Sequence, residues 1–549
     1  MLRDSFCALM KFKLRLILCM APALLMAACA SHPPSKDNAS RQHKASATPR
    51  QALAQALADA GQAWDAGMET EEGRLRYHTA ASRVVNAWIA CHDGCPQTAS
   101  DNLATSGSDS FQIRTSSPSD LHFDKLIPAS TVPTRELHTR FTREGVGTPL
   151  IAWWKYTDER AATEPFMGKA GYLVPVTATL TFGKSSQAGR RTAVIELKDP
   201  RQQDSVVMKQ HKFPLAADFS APGEFFLAQA QARMSGLGGL LSTETNLGKL
   251  GLISLEPPKK DRIPVILVHG LMSRPATWQN VVNQLWSDPQ IQSQCQFYFF
   301  RYPSGVPVIY SAAKLRERLE VLHGEYLKAG SRKHLNQMVL IGHSMGGLVS
   351  KSQVQDSKDK LWVNVFGTTP DRLNLPQAQL DSLRTYLEYK ANPHVSRVVF
   401  VATPHRGSNL AQGWSGAIGS RLVRLPAHLM SDATSMLQGE LPKDSPLRRL
   451  VEQGLPTSIS NLSPSSKFVQ TSIAIPLRPG LHIHSIIGNK GQRPLEDPRC
   501  SDGVVPYASA HLDGVESEFV VPSGHGAHEH PEAVAEIRRI LHKHLASLD

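Results

Sequence analysis

QMVLIGHSMGG, running from Gln337 to Gly347, is an apolar run that stops abruptly at the pentapeptide Gly342-His343-Ser344-Met345-Gly346. A short apolar run bounded by glycine predicts a buried strand. The pentapeptide is G-x-S-x-G, and helical character resumes at Met345. Small residues two before and two after the serine let the chain turn sharply from strand to helix. Such a turn lifts the Ser344 hydroxyl clear of the sheet. The same alternation continues on both sides. IPVILVHG, QFYFFRYP, RVVFVATP, LHIHSIIG and EFVVP read as strands, and ATWQNVVNQLW, AAKLRERLEVLHGEYLKAG and PEAVAEIRRILHKHL as helices. Strands alternating with helices predict an α/β fold built on a mostly parallel sheet.

A serine hydroxyl is a weak nucleophile and needs a base, which an acid in turn orients. It also needs backbone N–H groups where an oxyanion develops, each worth about 2.7–4 kcal/mol. VHGLM, Val268 to Met272, follows an early strand, and Gly270 lets the loop turn so that the Leu271 amide faces the site. The Met345 amide, next after the serine, is the second expected donor. His269 reads as a structural residue of the loop.

VHGL, GHSMGG and TPHRGS (Thr403 to Ser408) resemble, in this order, segments of the α/β-hydrolase-fold serine esterases, particularly bacterial triacylglycerol lipases. The resemblance covers roughly residues 261 to 549. It implies an α/β-hydrolase fold, an ester substrate and the chain order Ser, Asp, His. Asp502 opens DGVVPYASA, which looks like the acid segment, with Asp497 in reserve; Asp513 reads as a turn residue. PSGHGAHEHPEA then offers three histidines after the last strand. His525 is the expected base, and its distance from the final helix fits the lipase pattern best. His528 is the first alternative, and His530 precedes Pro531 at the expected start of that helix. A zinc site built from the three would draw its ligands from one local run and leave Ser344 unexplained. No metal or cofactor is therefore expected, and no acid cluster identifies the structural calcium that such lipases often carry. Insertions at about 355–394 and 409–479 are expected to form a helical cap over the site.

Upstream, residues 49–97 read as a helical hairpin and 100–120 as a polar loop. Residues 118–215 read as a β-rich accessory domain, and 216–260 as a linker holding a short helix. The first residues carry Arg3, Lys11, Lys13 and Arg15 ahead of LILCMAPALLMAAC, which is too short to span a bilayer and reads as a secretion signal, residues 1–28. Ala27-Ala28-Cys29 resembles a bacterial lipobox, implying lipidation of Cys29 and a tether over 29–48. The full chain resembles bacterial outer-membrane lipoprotein hydrolases. In an oxidising compartment Cys91–Cys95 and Cys295–Cys500 are candidate disulfides, with free buried thiols as the alternative.

The formal charge of the 549 residues is +12. Without a dense Lys/Arg block this favours anionic lipid headgroups and not nucleic acid. Together these readings predict an exported, lipid-anchored ester hydrolase using Ser344, Asp502 and His525. An acyltransferase or amidase with the same three residues is one alternative. An envelope interaction lipoprotein with a vestigial hydrolase domain is the other. The sequence is silent on oligomeric state.

Overall fold

Thr48 starts the first helix, α1 (Pro49–Ala66): its hydroxyl accepts the Gln51 N–H while the Gln51 side chain takes the Thr48 N–H. This reciprocal pair satisfies donors that a helix start leaves open. Thr70 caps α2 (Glu71–Cys91) through a single bond, its hydroxyl accepting the Gly73 N–H. The computed structural model describes residues 48–94, 101–104, 110–184, 190–234, 250–303, 306–331, 334–408 and 462–548. The segment expected to be a secretion signal and most of the expected tether, together with residues 409–461 of the expected second insertion, lie outside them.

The two helices pack on a six-stranded sheet of β1 (Asp101–Ala104), β2 (Ser110–Ser116), β3 (Lys125–Pro128), β4 (Thr148–Trp154), β5 (Tyr172–Phe182) and β6 (Arg190–Lys198). The strand order is β1-β2-β6-β5-β4-β3, antiparallel except for the parallel β2–β6 pair. Leu57, Tyr77, Val84 and Trp88 share one core with Ile113, Leu150 and Ile195, so hairpin and sheet are a single packed unit. The polar loop expected at 100–120 is instead two strands. Phe111 and Ile113 alternate inward along a run whose remaining residues are mostly polar, and the few apolar positions suffice once neighbours pair with them.

Residues 216–260 are likewise more than a linker. Within them α3 (Ala221–Met234) begins over the sheet, with Glu224 accepting the Leu137 N–H. Residues 251–254 form β7 (Gly251–Ser254), the antiparallel edge of a second, seven-stranded sheet. Short polar-flanked strands of this kind carry little periodic signal. β7 is also where the first module is fastened: Leu173 donates its N–H to Leu255 O (2.6 Å) and Ser254 to Phe166 O (3.0 Å). Beside it Arg201, fully buried, pairs with Asp199 (2.8 Å) and Glu256 (2.7 Å), and Arg262 with Glu256 (3.1 Å).

The second sheet continues with β8 (Ile263–Val268), β9 (Cys295–Arg301), β10 (Met338–His343), β11 (Val395–Val401), β12 (His482–Gly488) and β13 (Ser517–Val521), in the order β7-β9-β8-β10-β11-β12-β13. All pairs but the first are parallel. Val265, Leu267, Val339 and Ile341 face one side, against α4 (Gln279–Trp286) and the C-terminal helix Pro531–Ala546. Ile266, Val268, Leu340 and Phe400 face the other, against α5 (Val308–Lys328) and α6 (Met345–Lys351). Burial on both faces is why these strands read as unbroken apolar runs.

The first insertion forms α7 (Lys360–Phe366) and α8 (Gln377–Leu387) around buried Trp362. A third helix, α9 (Lys467–Ala474), joins them where Asn364 donates to Lys467 O (3.2 Å). No helix among the described residues is long and apolar enough to cross a membrane.

Cys295 and Cys500 are not joined. Cys295 begins β9 at the amino edge of the sheet, whereas Cys500 lies in the turn beyond the carboxyl end of β12. A bridge needs Cα atoms within about 7 Å, and a strand's length separates these edges. Cys91 ends α2, and Cys95 lies outside the described residues.

Candidate active site

Ser344 stands between β10 and α6 with φ 54° and ψ −125°, a conformation an L-residue adopts only under constraint. The constraint is close packing. A Cβ on Gly346 would lie 2.3 Å from Val268 O, and one on Gly342 would lie 2.6 Å from Gly346 O. Glycine at both positions lets the strand, turn and helix approach, and the Ser344 N–H is held by Val401 O (2.9 Å). The serine is thus presented at the carboxyl edge of the parallel sheet, where loops from several strands meet.

Two of those loops bring the residues expected from sequence. His525 follows β13, and its Nε2 is 2.9 Å from Ser344 Oγ. Its Nδ1 is 2.8 Å from Asp502 Oδ2. Because a carboxylate only accepts, Nδ1–H donates to Asp502, leaving the Nε2 lone pair to accept the serine hydroxyl. Asp502 is buried, and its second oxygen accepts the N–H groups of Val504 and Val505, both at 2.7 Å. A buried carboxylate is tolerable when its lone pairs are satisfied in this way.

The alternatives are occupied elsewhere. Asp497 is held by Arg499 through two bonds, Nε at 3.0 Å and Nη2 at 2.9 Å, with Arg493 at 3.5 Å. These guanidinium groups, Arg499 foremost, keep its carboxyl well below the usual range. Asp513 is exposed beside His511. His528 is buried edge-on to Trp278, with Nε2 2.9 Å from Thr277 Oγ1. Burial lowers its pKa to about 4. His530 opens the C-terminal helix α10 (Pro531–Ala546) as its N-cap residue, without a side-chain capping bond. The three histidines of one short run therefore stand in three different settings.

His343, the variable residue of the pentapeptide, has a role that sequence did not signal. Its ring lies between His525 and His528, at centroid distances of 5.0 and 4.2 Å, and Nε2–H donates to His525 O (2.7 Å). It fixes the loop that carries His525. TPHRGS also acts as a brace: Ser408 donates to Val504 O (2.5 Å), and Ser509 to Gly407 O (2.6 Å), tying this segment to the turn that holds Asp502.

Leu271 follows β8, and Met345 is the first residue of α6. Among the described residues, neither amide is taken by a backbone acceptor. The loop before Leu271 touches the serine, since a Cβ on Gly270 would lie 3.0 Å from Ser344 Cβ. His269 is the structural residue expected. It stacks on Tyr302 at 4.3 Å, and the Tyr302 hydroxyl donates to His269 O (2.5 Å). Burial lowers its pKa to about 4.

Residues 265–537 match the alpha/beta hydrolase family. This part of the chain is an alpha/beta hydrolase domain. The hydrolase domain is similar to a lipase of Bacillus licheniformis in its mature form, at 16% identity with a TM-score of 0.30, covering 53% of this chain and 97% of that one. It is similar also to lipase 1 of Pelosinus fermentans, at 14% identity with a TM-score of 0.32, covering 52% and 98%. A third similar structure is the phospholipase PlaB of Legionella pneumophila, at 17% identity with a TM-score of 0.27, covering 45% of each chain. No curated protein matches the sequence.

Proposed function

We propose that this protein is an exported, lipid-anchored serine hydrolase of carboxylic esters. The observation that carries the reading is the unbroken chain Ser344 Oγ–His525 Nε2 at 2.9 Å and His525 Nδ1–Asp502 Oδ2 at 2.8 Å, set beside two backbone amides that no backbone acceptor takes among the described residues. Ser344 Oγ attacks the ester carbonyl carbon as His525 Nε2 takes its proton. The carbonyl π pair moves onto oxygen, where the Leu271 and Met345 amides receive the negative charge. Collapse expels the alcohol, which leaves with the proton from His525, and an acyl-serine remains. Water then repeats the cycle: His525 takes its proton, the acid is released, and the proton returns to Ser344. Asp502 holds the imidazole in the required tautomer and stabilises its charged form.

Met272, half exposed on the loop after Leu271, gives the rim of the site an apolar side chain suited to an acyl group. The export signal and the Cys29 anchor rest on the N-terminal sequence. A fluorophosphonate probe is expected to label the protein, and Ser344→Ala to abolish labelling; labelling that survives the substitution defeats the nucleophile assignment. For the anchor, wild-type protein should partition into detergent and Cys29→Ala into the aqueous phase, and equal partitioning would remove that part of the proposal.

The two aspartates give a sharper contrast. Asp502→Asn keeps the shape but favours the wrong tautomer of His525, and kcat is expected to fall about 10⁴-fold. Asp497→Asn is expected to leave kcat within about twofold, because exposed ion pairs away from the chemistry contribute little. Steady-state kinetics on one aryl ester measure both, and a larger loss in the Asp497 variant would reverse the assignment.

A further inference from the structure

At the opposite edge of the hydrolase sheet from Ser344, Glu320, His323 and His394 each present one ligand atom, all within 4.8 Å of one another. Glu320 and His323 are one turn apart on α5 and so share a face. His394 immediately precedes β11. Its backbone is fixed on both sides, its carbonyl accepting the Met338 N–H (2.9 Å) and its N–H donating to Asn392 Oδ1 (2.8 Å).

The imidazole of His394 is oriented as well. Its Nδ1 lies 2.7 Å from Asn336 Oδ1, and donation of Nδ1–H to that oxygen leaves the Nε2 lone pair free, 3.9 Å from Glu320 Oε2. The other Glu320 oxygen accepts from Asn392 (3.1 Å). The His323 ring lies parallel to that of His394, with centroids 3.5 Å apart and planes at 13°. Two imidazoles and a carboxylate are a zinc donor set, and a ligating histidine whose second nitrogen donates to a carbonyl oxygen is its usual support.

The geometry points to a zinc-binding site formed by Glu320, His323 and His394, fastening α5 to the amino ends of β10 and β11. Coordination requires the two rings to splay from their stack, a rotation open to half-buried His323 at the helix surface. Arg478, held on Val395 O, places a positive charge near His394 and tempers the affinity for a dication. β10 alone separates this edge from Ser344 by about 20 Å, so the ion takes no part in ester chemistry. Its role is a cross-link between α5 and the edge of the sheet, and the inference stands whether or not the protein hydrolyses esters.

The test uses the full chain, stripped with a chelator and titrated calorimetrically with zinc sulfate, with cobalt(II) absorption as a second readout. One saturable site with a tetrahedral cobalt spectrum is expected in the wild type. The chain carries 22 histidines, so the variants decide the location. His323→Ala and Glu320→Gln, both on the helix surface and expected to keep the fold, should each weaken zinc at least about tenfold, and Asn336→Ala about tenfold. Absence of saturable binding in the wild type, or unchanged affinity in His323→Ala, overturns the proposal.

Discussion

Ser344→Ala is expected to lower kcat for a short aryl ester by about 10⁴–10⁶-fold, with His525→Ala close behind and the double variant no slower than the worse single one. The reason is that the two groups act as one device. Without the hydroxyl there is no acyl-serine for His525 to serve; without the imidazole the hydroxyl keeps its proton and attacks too slowly. The residual rate should still exceed that in water by about 10³–10⁴, because the Leu271 and Met345 amides remain in place. Stability should change little. Alanine occupies the same turn, and the packing of Gly342 and Gly346 that imposes the φ of 54° is untouched. Single-turnover and steady-state kinetics on the three variants, with urea midpoints alongside, check the set. Losses that multiply in the double variant would show that Ser344 and His525 do not work as a unit.

Acid should unfold this protein well before its carboxylates titrate. Burial holds His269, His484, His528 and His544 at pKa values of about 4, and keeps His343 and His405 well below the ordinary imidazole range. At His484 and His544 the chemistry is explicit. Buried Arg397 donates Nη1–H to His484 Nε2 (2.5 Å) and Nε–H to His544 Nδ1 (3.4 Å), so protonating either ring removes an acceptor and sets two cations together. The unfolded chain binds these protons near pH 6.5, and the folded chain refuses them until about pH 4. Stability is therefore fully present above about pH 6.5 and falls with pH through that window.

Each shift of this size corresponds to on the order of 3 kcal/mol, so a few together match the whole net stability of a typical domain. Glu516, which Lys543, His482 and Arg397 together bring to about 2 against its desolvation, contributes its loss only below about pH 4.5 and cannot mimic the effect. Urea midpoints should drop steeply between pH 6.5 and 4.5, and His528→Gln should flatten the slope. A midpoint constant across that range would contradict the neutral, buried assignment of these rings.

The hydrolase-domain half of the fold was legible because local pattern and tertiary environment agree there. Val265 to Val268 and Val339 to Ile341 are apolar on both faces since helices cover both sides of the sheet, and a strand that meets no water needs no alternation. The turn at Ser344 was legible for a related reason: glycine at 342 is demanded by contact with Gly346 a few residues on, so the pentapeptide carries much of its own geometry.

Elsewhere the deciding contacts are distant in sequence. Ser110–Ser116 read as loop, because only Phe111 and Ile113 reveal the buried face and their partners lie on β6 and α1. Gly251–Ser254 read as linker, because what makes it a strand is β9, some forty residues later. Cys295 and Cys500 suited a disulfide by arithmetic, and only the parallel topology sets them at opposite edges of the sheet.

By itself, then, the sequence determined the α/β alternation and the serine at its sharp turn, and its resemblance to the hydrolases implied an aspartate and then a histidine further along the chain. Tertiary structure alone chose among near-equivalent side chains. His525 faces Ser344 while Thr277 and Trp278 hold His528, and Asp502 meets the imidazole while Arg499 holds Asp497. The physical reason is range. Periodicity and turn chemistry act over a few residues, whereas a hydrogen bond across 181 positions exists only once the sheet has set its loops side by side.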